Sequence, residues 1–297
     1  MISNATHDGE KIGLVAGWGK FPIRVAERLV QQGYQVYCVG VYGHADPALR
    51  DICTEFREFG MGKMGAQVKY LRSKGVSKAT MAGKIFKTLL FQRGFVLKNL
   101  PDFAFWKHFY PVFITRSKDK RDDTLLLTVT NLYEDGGICF APATDFAPEL
   151  LVKPGLLTNR KINDNLNADI EFGWKMAKQM GQLDIGQSVV VKSQTVMAVE
   201  AIEGTDACIR RAGQLCKGGG FTVVKVAKPQ QDMRFDVPTV GVGTIETIAE
   251  AGGKVLAIEA GKTIILDEAE VIAAANRLKI SVIAIDSAAL ERKISAA

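Results

Sequence analysis

The stretch from Lys225 to Thr244, KVAKPQQDMRFDVPTVGVGT, puts Lys225 and Lys228 ahead of Arg234 and Asp236, then enters a helix through Gly243-Thr244. Such a mixture suits an anionic substrate. Ammonium and guanidinium groups offset charge on phosphoryl oxygens, and a rigid carboxylate can bind a divalent cation or orient a water. Pro238 pushes Val237 away from helical geometry, so Asp236 belongs to an extended run. The competing reading is a salt-bridged strand end, since surface ion pairs are common and weak.

Three further clusters invite the same question. AGWGKFP carries Gly17, Trp18 and Gly19 where a first strand meets a helix, a place at which backbone N–H groups and the helix dipole can hold a phosphate. A dinucleotide fingerprint would need a third glycine where Pro22 stands and an acid near the end of the second strand, which instead closes on Val41 and Tyr42. NAD is therefore discounted, and tight packing is the plain alternative for the two glycines. AIEGTDACIRRA offers Gly204, Thr205 and Asp206 at a second strand-to-helix junction, where they can cap the helix or expose amides to an anion. Thr244 before IETIAEAGG has the same two readings. KDKRDDTLL brings Arg121, Asp122 and Asp123 together, for phosphate and metal or as a solvated helix start. His7, His44 and His108 are scattered, and no Ser-His-Asp or H-x-x-x-H spacing appears.

The elements that must position these residues follow from periodicity. KIGLVAG predicts a buried strand, FPIRVAERLVQQG an amphipathic helix closed by Gly33, and YQVYCVGV a second strand. KMGAQVKYLRSKG predicts another helix, SKATMAG a strand ending at Gly83 just before Lys84, DDTLLLTVTNLYEDGG a helix and GICFAPAT a last strand. This alternation argues for a parallel, doubly wound sheet. Between Ala147 and Asn167 the pattern dissolves, so we divide the chain into an N-terminal Rossmann-like α/β domain (1–152), a linker (153–167) and a C-terminal α/β domain (168–297). The second half reads as helix, hairpin (SVVVKSQTVMAVEA), helix and strand (FTVVKVAK). After the Lys225 stretch it continues as helix, two short strands, helix and strand.

Composition bounds the rest. With 297 residues, 47% hydrophobic and 24% charged, the chain is long enough for two cored domains and has no apolar run fit to span a bilayer. The opening MISNATHDGEK lacks the layout of a secretory signal, and the five cysteines form no C-x-x-C, most of them in apolar surroundings that suit buried thiols, so a cytoplasmic protein is expected. A net charge of +6 favours anionic partners, but without a nucleic-acid-binding signature nucleic acid falls behind. The tract from Thr88, TLLFQRGFVLKNLPDFAFWKHFYPVF, interleaves aromatics with Arg93, Lys98 and Lys107. It suits a lipid headgroup boundary, a greasy pocket, or a subunit or domain interface.

In chain order, IGLVAGWGKFP, KRDDTLL, LDIGQSVVV, AVEAIEGTDACIRRAG and KVAKPQQDMRFDVPTVGVGTIE resemble the LpxI-type UDP-2,3-diacylglucosamine pyrophosphatases of Gram-negative lipid A synthesis. The resemblance spans nearly the whole chain. It implies a cytosolic hydrolase, peripheral to the inner membrane and usually dimeric, with two linked α/β domains holding the lipid between them. The implied reaction splits UDP-2,3-diacylglucosamine into UMP and 2,3-diacylglucosamine 1-phosphate (lipid X), with Mg²⁺ or Mn²⁺ as cofactor. The family's catalytic aspartate lies in R-x-D-[LV]-P-T, which here falls on Asp236, also the candidate metal ligand. Gly17, Gly19, Gly83, Arg121, Asp122, Asp123, Gly204, Thr205, Asp206, Lys225 and Lys228 match segments facing the family's cleft. Trp18, Lys84 and Thr244 complete the candidate substrate-binding set. Trp18 stands where the family is usually small, which bears on the acyl pocket. The rival expectation is a non-catalytic protein that binds a nucleotide-sugar lipid, but it leaves Asp236 without a task.

Overall fold

The computed structural model is described here over residues 7–84, 100–114, 122–234 and 237–295, with backbone alone for 112–114, 122–124 and 294–295. Arg121, Asp236 and the tract's Phe91 and Phe95 lie outside the described residues. Two compact units emerge: Met1–Pro148 with Asp232–Phe235, and Glu149–Gln231 with Asp236–Ala297.

The first unit is built on five parallel strands, β1 (Lys11–Ala16), β2 (Gln35–Val41), β3 (Glu55–Phe59), β4 (Lys78–Ala82) and β5 (Cys139–Phe140), in the order β3-β2-β1-β4-β5. This is Rossmann-like topology. β1 and β2 are apolar on both faces because helices cover both. On one face α1 (Lys20–Gln31) buries Pro22, Val25, Ala26 and Leu29, a 3.6-residue stripe. Each fully buried Val or Leu in it contributes about 1.5–3 kcal/mol. Pro22 sits in the first turn, where its missing N–H costs no helix bond, and Gly33 at φ +88° ends the run. After the short α2 (Leu49–Ile52), α3 (Met64–Ser73) covers the other face with α4 (Phe103–Ile114) and α5 (Asp122–Asp135). The short α6 (Ala143–Phe146) completes the unit.

Two of these elements escape the periodicity. In β3, EFREF, only Phe56 and Phe59 are apolar, as suits an edge strand. α4 is aromatic on most sides and contains Pro111, so no one-sided apolar pattern announces it. Its start is fixed by Asp102, whose Oδ1 accepts from Phe105 N at 2.9 Å and Oδ2 from Ala66 N at 3.1 Å.

The second unit carries a six-stranded mixed sheet. β6 (Gly155–Leu156), inside the 153–167 stretch, pairs antiparallel with β13 (Ser281–Ile285). Next come β11 (Val255–Glu259) and β9 (Thr222–Lys225), parallel to β13, then the antiparallel β7 (Ser188–Lys192) and β8 (Thr195–Val199). β10 (Thr239–Val240) and β12 (Ile264–Ile265) form a separate parallel pair. α7 (Asp164–Gln182) starts at Asn163, whose side chain accepts from Leu166 N. It lies close on the sheet because Gly173 has no Cβ; one there would stand 2.7 Å from Val224 Cγ2. The opposite face is covered by α8 (Thr205–Leu215), α9 (Val242–Glu250) and α10 (Glu268–Arg277). α11 (Ser287–Ser295) follows β13.

The expected hairpin is β7–β8. Ser193 and Gln194 both take positive φ, the backbone of a type I′ turn, without the usual Asn-Gly. Asp169 of α7 compensates by accepting from both amides, Ser193 N at 3.1 Å and Gln194 N at 2.6 Å. All five cysteines are free. Among the described residues no helix is long and apolar enough to cross a membrane.

Candidate functional site

In the first unit the strand order reverses between β1 and β4, and ligands of such sheets bind outside the carboxyl ends of strands at that point. There the chain leaves β1 through Gly17-Trp18-Gly19 and leaves β4 through Gly83-Lys84. The two exits are bonded to each other. Gly17 N donates to Ala82 O at 2.8 Å, Trp18 N to Lys84 O at 2.8 Å and Lys84 N to Trp18 O at 3.0 Å. The glycines are needed for this approach. A Cβ on Gly17 would lie 2.7 Å from Lys84 O, and one on Gly83 would lie 2.7 Å from Pro22 Cγ and 2.8 Å from Gly17 C. Gly83 also holds φ +97°, and Gly19, the residue before α1, holds φ +106° with open space around it.

The structure thus gathers five candidates, Gly17, Trp18, Gly19, Gly83 and Lys84, into one corner. Trp18 is 52% exposed. Packing accounts for Gly17 and Gly83. Gly19 faces open space at the start of a helix with no side-chain cap. Arg121 lies outside the described residues; Asp122 and Asp123 open α5, with their side chains undescribed. Arg234 is committed to carboxylates. Its Nε reaches both Asp232 oxygens at 3.0 Å, Nη2 reaches Oδ2 at 2.6 Å, and Nη1 lies 3.3 Å from Glu134. The guanidinium holds the Asp232 carboxyl below its ordinary range.

In the second unit Lys225 ends β9 and is buried; its Nζ donates to Thr239 O at 3.1 Å. Opposite it in the ladder is Ser188, whose side chain shares its face. Ser188 Oγ lies 3.4 Å from Thr205 Oγ1, which donates to Glu200 Oε1 at 2.8 Å. Lys225 and Thr205, distant in sequence, therefore flank one serine. Of the two readings of the Gly204-Thr205-Asp206 junction, the cap does not fall to Thr205. Instead Gly204, at φ +83°, occupies the cap position without a side-chain bond, and the threonine hydroxyl goes to the carboxylate. Glu200 is buried, and its Oε2 has no hydrogen-bond partner among the described residues. Asp206 lies in the first turn of α8, and Thr244 in that of α9, also uncapped by any side chain.

Just past Lys225 the chain leaves the sheet, and its polar backbone needs other partners. Glu259, fully buried at the end of β11, accepts Ala227 N–H at 2.9 Å. Lys178 of α7 donates to Ala227 O at 3.1 Å and to Glu259 Oε2 at 2.7 Å. Lys262 stands 3.0 Å from the other Glu259 oxygen. Burial pushes the Glu259 carboxyl up, but the Lys178 and Lys262 ammonium groups outweigh it, so the group is held below its ordinary range. Lys228 Nζ pairs with Asp184 at 2.6 Å, mostly buried at the end of α7. Gln230 donates to Gly181 O at 2.9 Å, closing part of that helix end. The segment between Lys225 and Gln231 is thus bound at nearly every residue.

Sequence reasoning missed Ser188, Glu200, Lys178, Asp184 and Glu259. An acid ending the apolar run VLAIE was the visible signal for Glu259. As a metal cage the described residues are incomplete, with no group of three or more His, Cys, Asp or Glu among them. Glu259, Asp184 and Asp232 each already hold a cation. The arrangement supplies fixed positive charge, hydroxyls and helix-entry amides, the chemistry that recognises phosphate.

Comparison with known proteins covers most of the chain. The family model described as the LpxI N-terminal domain matches residues 11–150, and that of the LpxI C-terminal domain matches residues 153–283. A curated protein of Caulobacter vibrioides, UDP-2,3-diacylglucosamine pyrophosphatase LpxI, is 33% identical over 286 residues, covering 93% of this chain and 98% of the relative.

Proposed function

The chain belongs to the LpxI family, and on that premise we propose that it hydrolyses the pyrophosphate of UDP-2,3-diacylglucosamine. Water adds across the P–O–P link: one phosphorus takes the hydroxyl, the bridging oxygen leaves on the other phosphate, and the products are UMP and 2,3-diacylglucosamine 1-phosphate (lipid X). The observation that carries this reading is the match of both family domains, in order, with a relative aligned along almost its full length.

Water attacks a phosphate anion poorly until charge is offset and geometry fixed. In our reading Lys225 and Lys228 of the second unit, the latter on exchanging Asp184 for substrate, or Arg121 of the first, offset charge on the phosphoryl oxygens. Amides at a helix entry, beside Gly19 in the first unit or Gly204 in the second, orient the phosphates. Asp236 orients the attacking water or serves as ligand to Mg²⁺ or Mn²⁺, an ion that when bound polarises phosphoryl oxygens. Asp184 and Glu259 are already paired with lysines, and Asp236, at the aspartate of the R-x-D-[LV]-P-T motif, is the ligand we propose. We further propose a cytoplasmic homodimer in peripheral contact with the inner membrane, where a diacyl substrate resides.

The test is release of UMP from UDP-2,3-diacylglucosamine by purified protein. A carrier would bind the lipid and release none. Asp236→Ala should stay folded and bind lipid X, yet turn over at least a hundredfold more slowly; full activity in that variant removes Asp236 from the mechanism. Chelation by EDTA should stop UMP release and added Mg²⁺ or Mn²⁺ restore it, and turnover indifferent to EDTA would remove the metal.

A further inference from the structure

Large apolar side chains are normally exposed singly, but α4 shows them as a stripe. Phe103 is 83% exposed, Trp106 48% and Tyr110 52%, with Leu100 at 45% just ahead of the helix. Positions 103, 106, 107 and 110 fall on one helix face, and Lys107 is exposed among the aromatics. The opposite face is locked. Phe105 and Phe109 stack at 4.3 Å between ring centroids and pack into the core that includes Val68 and Leu132. His108 is held between Ala104 O at 2.9 Å and Asp135 at 3.0 Å. With Asp102 fixing its start, the helix cannot roll to hide the stripe without giving up these contacts.

Trp and Tyr favour the boundary between headgroups and acyl chains, Phe inserts beyond it, and a lysine among them meets lipid phosphate. We propose that this face of α4, with Leu100, seats the protein on an anionic phospholipid surface. The commitment to a bilayer comes from Lys107 inside the stripe, from the net charge of +6, and from the diacyl substrate. The inference rests on the reading above that the substrate is a membrane lipid.

The experiment measures sedimentation with vesicles of phosphatidylethanolamine and phosphatidylglycerol, alongside UMP release from substrate in those vesicles and in detergent micelles. The triple variant Phe103→Ser, Trp106→Ser, Tyr110→Ser should lose at least tenfold in vesicle binding and in vesicle turnover while keeping the parent rate in micelles. Lys107→Gln should weaken binding several-fold on anionic vesicles and not on phosphatidylcholine. Should the triple variant misfold, quenching of parent fluorescence by bromo-acyl lipid, compared with Trp106→Phe, gives the same answer. The proposal is overturned if parent and folded triple variant sediment alike, if Trp106 is not quenched, or if the triple variant turns a parent dimer into monomer without changing vesicle binding. Absence of UMP release by the parent in micelles would instead strike the substrate reading.

Discussion

Glu259 ends β11 with no exposure to solvent, and a carboxylate there is tolerable because Lys178 and Lys262 reach it and Ala227 donates its N–H. Removing one partner of a buried pair costs about 3–5 kcal/mol, so Lys178→Met should destabilise toward the lower end of that range while Lys262 remains. Urea unfolding at neutral pH measures it; a loss near zero would mean that the buried acid does not depend on its lysine. The pH dependence has a definite sign. The folded carboxyl lies below its ordinary 4.5, so its stabilisation is complete above that value and is lost as pH falls through the folded pKa. The stability gap between the parent and Glu259→Gln should therefore narrow below about pH 4.5, and a gap unchanged down to pH 3 contradicts the pairing. In the sequence the acid at the end of VLAIE is visible, but Lys178 is separated from it by 81 positions. No local pattern links the two, which is why Lys225 and Lys228 were legible as cations while the groups that fix them were not.

At the scale of elements, what periodicity could see was the buried strands β1, β2, β9, β11 and β13 and the amphipathic α1, whose stripes report a one-sided or two-sided environment. β3 and α4 were illegible because one is an edge strand with few apolar residues and the other is aromatic inside and out. The G-x-G turn was recognised, but not that Gly83 completes it from β4, since the contact exists only once β1 and β4 pair. That junction makes a graded prediction. Both Gly19→Ala and Gly83→Ala put a side chain at positive φ, costing about 1–3 kcal/mol each. Only Gly83→Ala also drives a methyl to within 3.0 Å of Pro22, Gly17 and Trp18. Gly83→Ala should therefore lower the thermal midpoint more than Gly19→Ala and shift Trp18 fluorescence, and equal losses from the two would mean that the backbone contact is not tight.

For the whole molecule, the alternation of strand and helix and the balanced composition are enough to anticipate two α/β bodies, because each half carries the apolar faces of its own sheet. What no pattern of that kind could show is that Asp232–Phe235 groups with the first unit while the residues on both sides group with the second. Membership of a unit is set by contacts distant in sequence, such as Arg234 with Glu134. Each unit also has separate core clusters, Leu29 belonging to one in the first and Val224 to one in the second. The three tryptophans divide likewise, with Trp18 and Trp106 in the first unit and Trp174 buried in the second. Leu29→Ala leaves a cavity under α1 that costs about 2–5 kcal/mol. If each core is its own cooperative body, that loss should move the urea midpoint read from Trp18 and Trp106 and leave the midpoint read from Trp174 in place. Trp18→Phe, Trp106→Phe and Trp174→Phe backgrounds separate the signals. A single transition shared by all three tryptophans, shifting together in Leu29→Ala, would show instead that the two cores fold as one.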